Sequence, residues 1–320
     1  MSEPLVQVQH LVKTFFSSKG MFSKPKYVHA VTDVSFSIYP KETFALVGES
    51  GCGKSTTGRL ILRLLHPDSG HIIFDGKDIT DVTEQQMRPI RSNMQMIFQD
   101  PYGSLDPRKK VENLIEEPMR IHTSMNAEER RNKVAELLDV VGLRPEQADR
   151  YPHEFSGGQR QRIGIARALA VHPKLIIADE PVSALDVSIQ AQVLNLLKEL
   201  QEKYDLTYLF ISHDLSVVEM ISDTIGVMYL GKLVEMASTE ELFRNPLHPY
   251  TRALLSAVPI PDPTRKQNRM ILKGDLPSPI NPPSGCLFHT RCPNCTERCK
   301  QEEPEFREIS DGHFVACPYV

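Results

Sequence analysis

The stretch GESGCGKST, residues 48–56, directly follows the short apolar run TFALV. It fits the pattern G-x-x-x-x-G-K-[ST], in which glycines let backbone N–H groups curl around phosphate oxygens at the positive end of a following helix. In such a loop Lys54 reaches the β- and γ-phosphates of a nucleotide, and the hydroxyl of Ser55 can ligate Mg²⁺. The alternative is a glycine turn that binds nothing, which the match at every fixed position disfavours. The stretch therefore predicts a strand, a phosphate loop and a helix, with Cys52 as a small loop residue.

An acidic pair ends another apolar run, LIIADEP at residues 175–181. Asp179 is placed to hold Mg²⁺ through water, and Glu180 is placed to polarise an attacking water molecule. Two acidic residues after an apolar strand are common and carry little information alone. Beside a phosphate loop, however, the pair indicates ATP hydrolysis.

A second loop rich in small residues, FSGGQRQR, begins at Phe155, and its Ser156 lies 23 residues before Asp179. Ser156 and two glycines open a predicted helix, so a hydroxyl and two backbone amides face outwards at a positive helix end. This arrangement predicts a second anion-binding loop. It is equally compatible with a simple N-capped helix whose cap is Ser156.

The composition is that of an ordinary folded protein. Of the 320 residues, 40% are hydrophobic and 24% charged, and the formal net charge is -4 with no long Lys/Arg block. Binding to nucleic acid therefore has no support. No apolar run reaches the length of a membrane span, and the first residues do not resemble a secretory signal. We therefore expect a cytosolic chain with reduced thiols, in which a cysteine cluster favours metal over disulfides.

Strand and helix patterns alternate after an opening third that reads as strands. Residues 127–141 predict a helix that ends near Gly142, and TIGVMYLGKLVEMA predicts a hairpin over Gly231-Lys232. This alternation favours an α/β core with a largely parallel sheet, preceded by a smaller β portion. Proline-dense runs between about residues 258 and 284 cannot join a central sheet. We therefore predict two domains, residues 1–258 and 259–320.

Five cysteines lie close together near the end of the chain, with the spacing C-x5-C-x2-C-x3-C-x17-C. Four thiolates can hold zinc or anchor a [4Fe–4S] cluster. The irregular spacing suits a cluster better than zinc but does not decide between them. Reduced thiols with no metal are a third possibility. The five cysteines are Cys286, Cys292, Cys295, Cys299 and Cys317.

Together, these motifs resemble the ATP-binding cassette (ABC) ATPases. SGGQ followed by ADEP is similar to their signature and Walker B motifs, and the other family positions occur in the right order: Gln99 in MIFQDP, SALD at residues 183–186, and His213 in FISHD. Within KTFF, Phe15 matches the position of the adenine-stacking aromatic better than Phe16. The resemblance implies a P-loop NTPase fold with a RecA-like α/β core, an antiparallel β part, a helical subdomain over about residues 101–170, and here a small Cys-rich C-terminal extension.

The family resemblance also implies a mechanism, in which two cassettes pair head to tail and each ATP lies between the phosphate loop of one and the signature of the other. Lys54, Gln99, Glu180 and His213 would be catalytic, and Ser55, Gln99 and Asp179 would hold Mg²⁺. Ser156, Gly158 and Gln159 would contact the partner's nucleotide. The chain's own nucleotide would contact Phe15, Gly48, Ser50, Gly51, Gly53, Lys54, Ser55, Thr56, Gln99 and Asp179.

Three longer stretches resemble the dipeptide/oligopeptide importer branch of this family: DPYGSLDPRKK at 100–110, HPYTRALLSAVP at 248–259, and LKGDLPSPINPPSGCLFHTRCP at 272–293. Nickel and glutathione importers share the branch. The resemblance implies a peripheral subunit at the cytoplasmic face of the cell membrane. Its partners would be a homologous second ATPase (or a second copy in isolation), two transmembrane permeases and, indirectly, an extracytoplasmic substrate-binding protein.

The same branch contains members with a [4Fe–4S] cluster in this region. Their cysteine pattern matches Cys286, Cys292, Cys299 and Cys317, so that Cys295 is spare. Zinc remains the alternative occupant. A rival to the whole assignment is a soluble ABC ATPase with a regulatory role and no membrane partner; the long coiled coils and paired cassettes of other soluble members are missing from this sequence.

Overall fold

The computed structural model describes residues 3–17, 26–258, 270–272 and 274–320. The chain divides into two compact units, one built from residues 1–80 and 212–320 and the other from residues 81–211. The strands, numbered along the chain, are β1 (Val6–Ser17), β2 (Lys26–Ile38), β3 (Thr43–Val47), β4 (Ser69–Phe74), β5 (Lys77–Asp78), β6 (Met94–Ile97), β7 (Leu175–Asp179), β8 (Thr207–Ser212), β9 (Thr224–Tyr229), β10 (Lys232–Ser238), β11 (Arg307–Ser310) and β12 (His313–Val315).

Helices connect most of these strands. The helices are α1 (Lys54–Ile61), α2 (Glu84–Arg91), α3 (Val111–His122), α4 (Ala127–Val140), α5 (Gly157–Leu169), α6 (Val187–Tyr204), α7 (Leu215–Ile221), α8 (Thr239–Arg244), α9 (Pro249–Ser256) and α10 (Glu297–Gln301), with 3₁₀ turns at Pro145–Asp149 and Pro152–Glu154. None of the helices in the described ranges is long and apolar enough to cross a membrane.

The first unit contains an antiparallel sheet in the order β2-β1-β4-β5. A second group of strands begins with β3, which is buried throughout and pairs parallel to β9; β10, β12 and β11 then follow antiparallel. Strand β12 belongs to the C-terminal segment, and it places Val315 opposite Glu235 and Phe314 opposite Met236. The C-terminal segment is therefore joined by strand pairing to the unit that carries the phosphate loop.

The hairpin of the first unit is confirmed, but its turn lies one residue earlier than predicted. Tyr229 pairs with Lys232, so the two-residue loop is Leu230-Gly231 and not Gly231-Lys232. Both loop residues have positive φ, 44° for Leu230 and 84° for Gly231, as a type I′ turn requires. The glycine had marked the turn, whereas a leucine in the left-handed region has no local sequence signal.

The second unit contains the parallel strands β6, β7 and β8 and the helices α2–α6. β7 and β8 are buried at every position, as expected for apolar strands of a parallel sheet covered on both faces. The predicted helix at 127–141 is α4, and Gly142 follows it with φ 73°. The predicted helical subdomain, 101–170, contains α3, α4 and α5. The domain boundary at 258/259 stays a prediction, because residues 259–269 lie outside the described residues.

Candidate active site

The phosphate loop, residues 48–56, begins directly after β3, and α1 begins within it at Lys54. Gly48, Gly51 and Gly53 have φ values of 149°, 81° and 108°. A Cβ at Gly48 would lie 2.2 Å from the carbonyl oxygen of Met228, and one at Gly53 would lie 2.2 Å from that of Ala30. Glycine is thus required at both positions by backbone that approaches too closely for any side chain.

Lys54 lies back across the phosphate loop. Lys54 is only 4% exposed. Its ammonium donates hydrogen bonds to the carbonyl oxygens of Gly48 (2.7 Å) and Glu49 (3.1 Å). The ammonium is therefore already held at the loop that would receive phosphates. Cys52 is 1% exposed and burial raises the pKa of its thiol, so it is a packed loop residue and not a nucleophile.

The acidic pair of the second unit stands at the end of β7. Asp179 closes the strand and is 2% exposed. Glu180 follows with φ 45°, the left-handed region that a residue with a side chain rarely adopts, and its N–H donates to the carbonyl of Ile211 at 2.9 Å.

Gln99 and Glu180 are brought together in this unit. The Nε2 of Gln99 donates a 2.8 Å hydrogen bond to Oε2 of Glu180, across 81 residues of sequence. Ser183, the first residue of SALD, donates through its hydroxyl to the carbonyl oxygen of Glu180 at 3.1 Å. The predicted general base is therefore fixed on its side chain by one sequence motif and on its backbone by another.

The SGGQ segment is an N-capped helix start, as one of its two interpretations expected. Ser156 Oγ accepts from the N–H of Gln159 (3.4 Å), and Oε1 of Gln159 accepts from the N–H of Ser156 (3.0 Å), which is a capping box. A Cβ at Gly158 would lie 2.5 Å from Cγ2 of Ile189. Ser156 is exposed, so the segment is accessible from outside the chain.

Two predicted residues of the first unit lie on its surface. His213 follows β8 and is exposed. Phe15 lies on β1 and is 37% exposed, with Nζ of Lys13 at 5.8 Å from its ring centroid, whereas Phe16 is 62% exposed and lies 5.7 Å from the ring of Tyr27. Both phenylalanines are available for stacking, so the choice of Phe15 stays a prediction.

One cavity of about 100 Å³ is lined by the four cysteines predicted to hold a cluster, Cys286, Cys292, Cys299 and Cys317. Cys295 does not line this cavity. Burial raises the pKa of the Cys286 thiol to about 11, and burial beside the other thiols raises the pKa values of Cys292 and Cys317. All of these cysteines are free thiols. Thiols are donors of the kind that iron–sulfur clusters and zinc require. Among the described residues, however, no three His, Cys, Asp or Glu side chains are arranged to hold a metal ion, and the predicted cluster is not confirmed.

The partners of Glu49, a residue of the phosphate loop, could not be predicted from the sequence. Its carboxylate accepts two hydrogen bonds from Arg291 of the Cys-rich segment, and its N–H donates to the hydroxyl of Tyr250. Burial raises the pKa of Tyr250, so the hydroxyl stays neutral. The HPYT and CLFHTRCP stretches resemble the importer branch, but nothing in either sequence predicts a contact with the phosphate loop.

Similarity to known proteins extends over almost the whole chain. A family model described as ABC transporter matches residues 31–183, and one described as oligopeptide/dipeptide transporter, C-terminal region, matches residues 234–299. The chain is 58% identical to the oligopeptide transport ATP-binding protein AppF of Bacillus subtilis (strain 168), over 98% of this chain and 97% of that protein. The chain belongs to the oligopeptide/dipeptide ABC transporter ATP-binding proteins. It is also 50% identical to the dipeptide transport ATP-binding protein DppF of Haemophilus influenzae, over 99% of this chain and 97% of that protein.

Solved structures agree with membership of the ABC transporter ATP-binding proteins. The dimeric post-hydrolysis state of the ATP-binding cassette MJ0796, bound to ADP and Pi, matches with a TM-score of 0.66 and 30% identity over 73% of this chain and 98% of that chain. CbiO1 from Clostridium perfringens, part of the ABC transporter complex cbiONQ, matches with a TM-score of 0.66 and 28% identity over 76% of this chain and 92% of that chain. The predicted α/β ABC-type P-loop fold and the predicted ATPase class are confirmed.

Proposed function

We propose that the chain is the ATP-hydrolysing, energy-coupling subunit of an ABC importer for dipeptides or oligopeptides. The observation that carries this proposal is similarity along the full chain to a protein named for oligopeptide transport, 58% identical over 98% of this chain. The match at residues 234–299 to a C-terminal region named for the same transporters supports the peptide branch in particular. The subunit would act at the cytoplasmic face of the cell membrane.

On this proposal the phosphate loop binds the phosphates of MgATP. Lys54 would exchange its hydrogen bonds to the Gly48 and Glu49 carbonyls for phosphate oxygens, which offer the ammonium a stronger, charged acceptor. Ser55, Asp179 and Gln99 would hold Mg²⁺, Asp179 through water. The remaining contacts to the chain's own nucleotide would come from Phe15, Gly48, Ser50, Gly51, Gly53 and Thr56.

Glu180 would act as general base towards the attacking water. Its carboxylate accepts a hydrogen bond from Gln99, which orients one of its oxygens. His213 would hold the γ-phosphate and orient the same water. Little covalent chemistry falls to the protein, since phosphoryl transfer needs mainly positioning and charge neutralisation.

The proposed assembly contains a second ATPase. The exposed Ser156, with Gly158 and Gln159, would complete the partner's nucleotide site, so the active form is a head-to-tail pair with a homologous subunit or, in isolation, a second copy. Two transmembrane permeases would carry the substrate, which an extracytoplasmic binding protein delivers. Residues 1–258 would form the ATPase domain, with its helical subdomain at about 101–170, and residues 259–320 would form the extension.

The extension is proposed to hold a [4Fe–4S] cluster on Cys286, Cys292, Cys299 and Cys317, with zinc as the alternative. The lining of one cavity by these four residues, and not by Cys295, supports this ligand set. Such a group would cross-link the extension and supply structure rather than catalysis. The test is iron, zinc and acid-labile sulfide content with a visible spectrum, on full-length protein purified without oxygen or chelator.

About four irons with matching sulfide per chain would support the cluster, and one zinc would replace it with a structural metal site. Cys286→Ser should lose the metal, whereas Cys295→Ser should keep it. Loss in both variants would contradict the ligand set, and a metal-free wild-type chain would contradict any metal site.

The transporter role is tested by purifying the tagged full-length chain from membranes of cells that carry its gene. A second ATPase and multispanning proteins should co-purify, and the reconstituted complex should hydrolyse ATP faster when loaded with di- or oligopeptides. Stimulation by nickel or glutathione alone would indicate an ABC importer with that substrate in place of peptides. Recovery of the active chain without any membrane protein would instead support the soluble regulator.

A further inference from the structure

Every polar group of Glu49 in the phosphate loop is engaged. Its N–H donates to the hydroxyl oxygen of Tyr250 at 2.9 Å, and its carbonyl oxygen accepts from Nζ of Lys54 at 3.1 Å. Its carboxylate accepts from Nη1 and Nη2 of Arg291, at 2.7 and 3.0 Å. The position of this one residue therefore depends on α9, on the lysine of the loop and on the Cys-rich extension.

The contact between Arg291 and Glu49 has the geometry of a strong ion pair. Two parallel N–H···O bonds join a planar guanidinium to a carboxylate, an arrangement that a lysine cannot reproduce. The Arg291 side chain is only 9% exposed and that of Glu49 29%. Water therefore screens the pair less than it screens an exposed surface pair, and removing either partner leaves the other charge poorly solvated.

The arginine is itself anchored beside the loop. Its N–H donates to the carbonyl oxygen of Phe288 at 3.0 Å, and the Phe288 ring packs edge-on against Tyr229 (5.3 Å, 89°) and lies 5.4 Å from the ring of Tyr250. Tyr229 and Tyr250 also contact each other, at 4.7 Å between ring centroids. One buried aromatic cluster thus fixes both the arginine and the tyrosine that bond to Glu49.

The charge of Glu49 is unfavourable for a loop that binds polyphosphate. A carboxylate one residue after Gly48 opposes an incoming anion, and the opposition is larger where water is partly excluded. A guanidinium held on that carboxylate cancels its charge. It also prevents the carboxylate from turning towards Lys54, the cation that the phosphates need.

We propose that Arg291 is a positioning residue for nucleotide binding: through Glu49, the C-terminal extension holds the phosphate loop in a phosphate-accepting conformation and neutralises the acidic charge within it. This inference rests on the proposed function of the loop as an ATP site. It gives the extension a direct effect on ATP affinity, exerted by a single ion pair.

The test is the dissociation constant of a fluorescent ATP analogue with Mg²⁺, measured on the full-length chain, together with Tm. Arg291→Gln should weaken binding about tenfold, since the carboxylate of Glu49 then stands unneutralised beside the phosphates. Arg291→Lys should recover part of the lost affinity, because lysine keeps the positive charge but cannot form the two parallel hydrogen bonds. The double variant Glu49→Gln/Arg291→Gln should return to within about threefold of the wild type, because the opposing charge is gone.

The matched control is Arg298→Gln. Arg298 lies in the same extension and pairs with Glu302 at 2.7 Å, but both side chains are exposed (58% and 62%), so ATP affinity should not change. A folded Arg291→Gln variant with wild-type affinity would overturn the inference, and so would a double variant that binds as weakly as Arg291→Gln. If Arg291→Gln does not fold, the ATP affinity of Arg291→Lys is the test, and a wild-type value would overturn the inference. A wild-type chain that binds no ATP would instead contradict the proposed function.

Discussion

The side-chain amide of Gln99 donates a 2.8 Å hydrogen bond to the carboxylate of Glu180. The backbone of Glu180 has a φ of 45°. This backbone conformation costs free energy in any residue other than glycine, and the surrounding structure must offset that cost. The strain and the hydrogen bond together fix the direction of the carboxylate. Both observations favour Glu180 as the group that acts on water.

We therefore expect Glu180→Gln to abolish turnover while leaving ATP binding intact. The glutamine can still accept a hydrogen bond from Gln99 but cannot take a proton, so hydrolysis in the assembled complex should fall by at least about 100-fold. Phosphate release gives the turnover, and titration with a fluorescent ATP analogue gives the affinity. Unchanged turnover would refute the general-base assignment, and loss of binding would point to a misfolded loop instead.

Lys54→Met should weaken ATP binding. The substitution keeps an unbranched side chain one atom shorter, but removes the ammonium that donates to the carbonyls of Gly48 and Glu49. Loss of a charge-assisted contact to phosphate should raise the dissociation constant roughly 10- to 100-fold. Lys77→Met, on the exposed strand β5, is the control and should bind normally. Full activity of Lys54→Met would overturn the site assignment.

Local signals explain what the sequence could predict. The phosphate loop, the helix α4 and the hairpin each depend on neighbouring residues, through glycine conformation or the period of apolar side chains. The family motifs then supplied the order of the remaining elements. The single error in the hairpin arose at Leu230, whose positive φ is imposed by the strand register and has no signature in the sequence.

Long-range pairs explain what the sequence could not predict. Arg291 meets Glu49 across 242 residues, and Gln99 meets Glu180 across 81. The family motifs placed Gln99 and Glu180 in one site without predicting their hydrogen bond, and nothing in the sequence indicates the Arg291–Glu49 pair. Both contacts depend on how separate elements pack. The cysteines are an intermediate case: the family resemblance selected Cys286, Cys292, Cys299 and Cys317, and the structure shows that these four line one cavity.

A buried histidine should anchor the C-terminal strand pair. Nε2 of His313 and Oε1 of Glu235 lie 2.9 Å apart with both side chains at most 1% exposed, and the same carboxylate accepts from the N–H groups of Leu247 and His248. His313→Leu should lower the free energy of unfolding by about 3 kcal/mol, because a buried carboxylate loses a partner. Urea unfolding measures the change.

The control is a histidine–carboxylate pair of similar length on the surface. His71 and Asp78 lie 2.8 Å apart with side chains 59% and 49% exposed, so His71→Leu should change the free energy of unfolding by no more than about 0.5 kcal/mol. Equal effects of the two substitutions would show that burial does not strengthen the His313–Glu235 contact.

Stability should fall in mild acid because of His248. Its Nδ1 accepts from the N–H of Tyr250 and caps α9, and burial lowers its pKa to about 3 from 6.5. Below pH 6.5 the unfolded chain takes up a proton that the folded chain refuses, so stability is lost progressively as the pH falls towards 3. Between pH 7 and 5 the loss from this residue should be about 2 kcal/mol.

His248→Asn isolates this contribution, because asparagine can also cap a helix but does not titrate. The variant is expected to be less stable than the wild type at pH 7, owing to the smaller buried side chain, yet its stability should change less between pH 7 and pH 5. Urea unfolding at the two pH values gives the difference. Parallel losses in the wild type and the variant would show that another group, and not His248, sets the acid sensitivity of the folded chain.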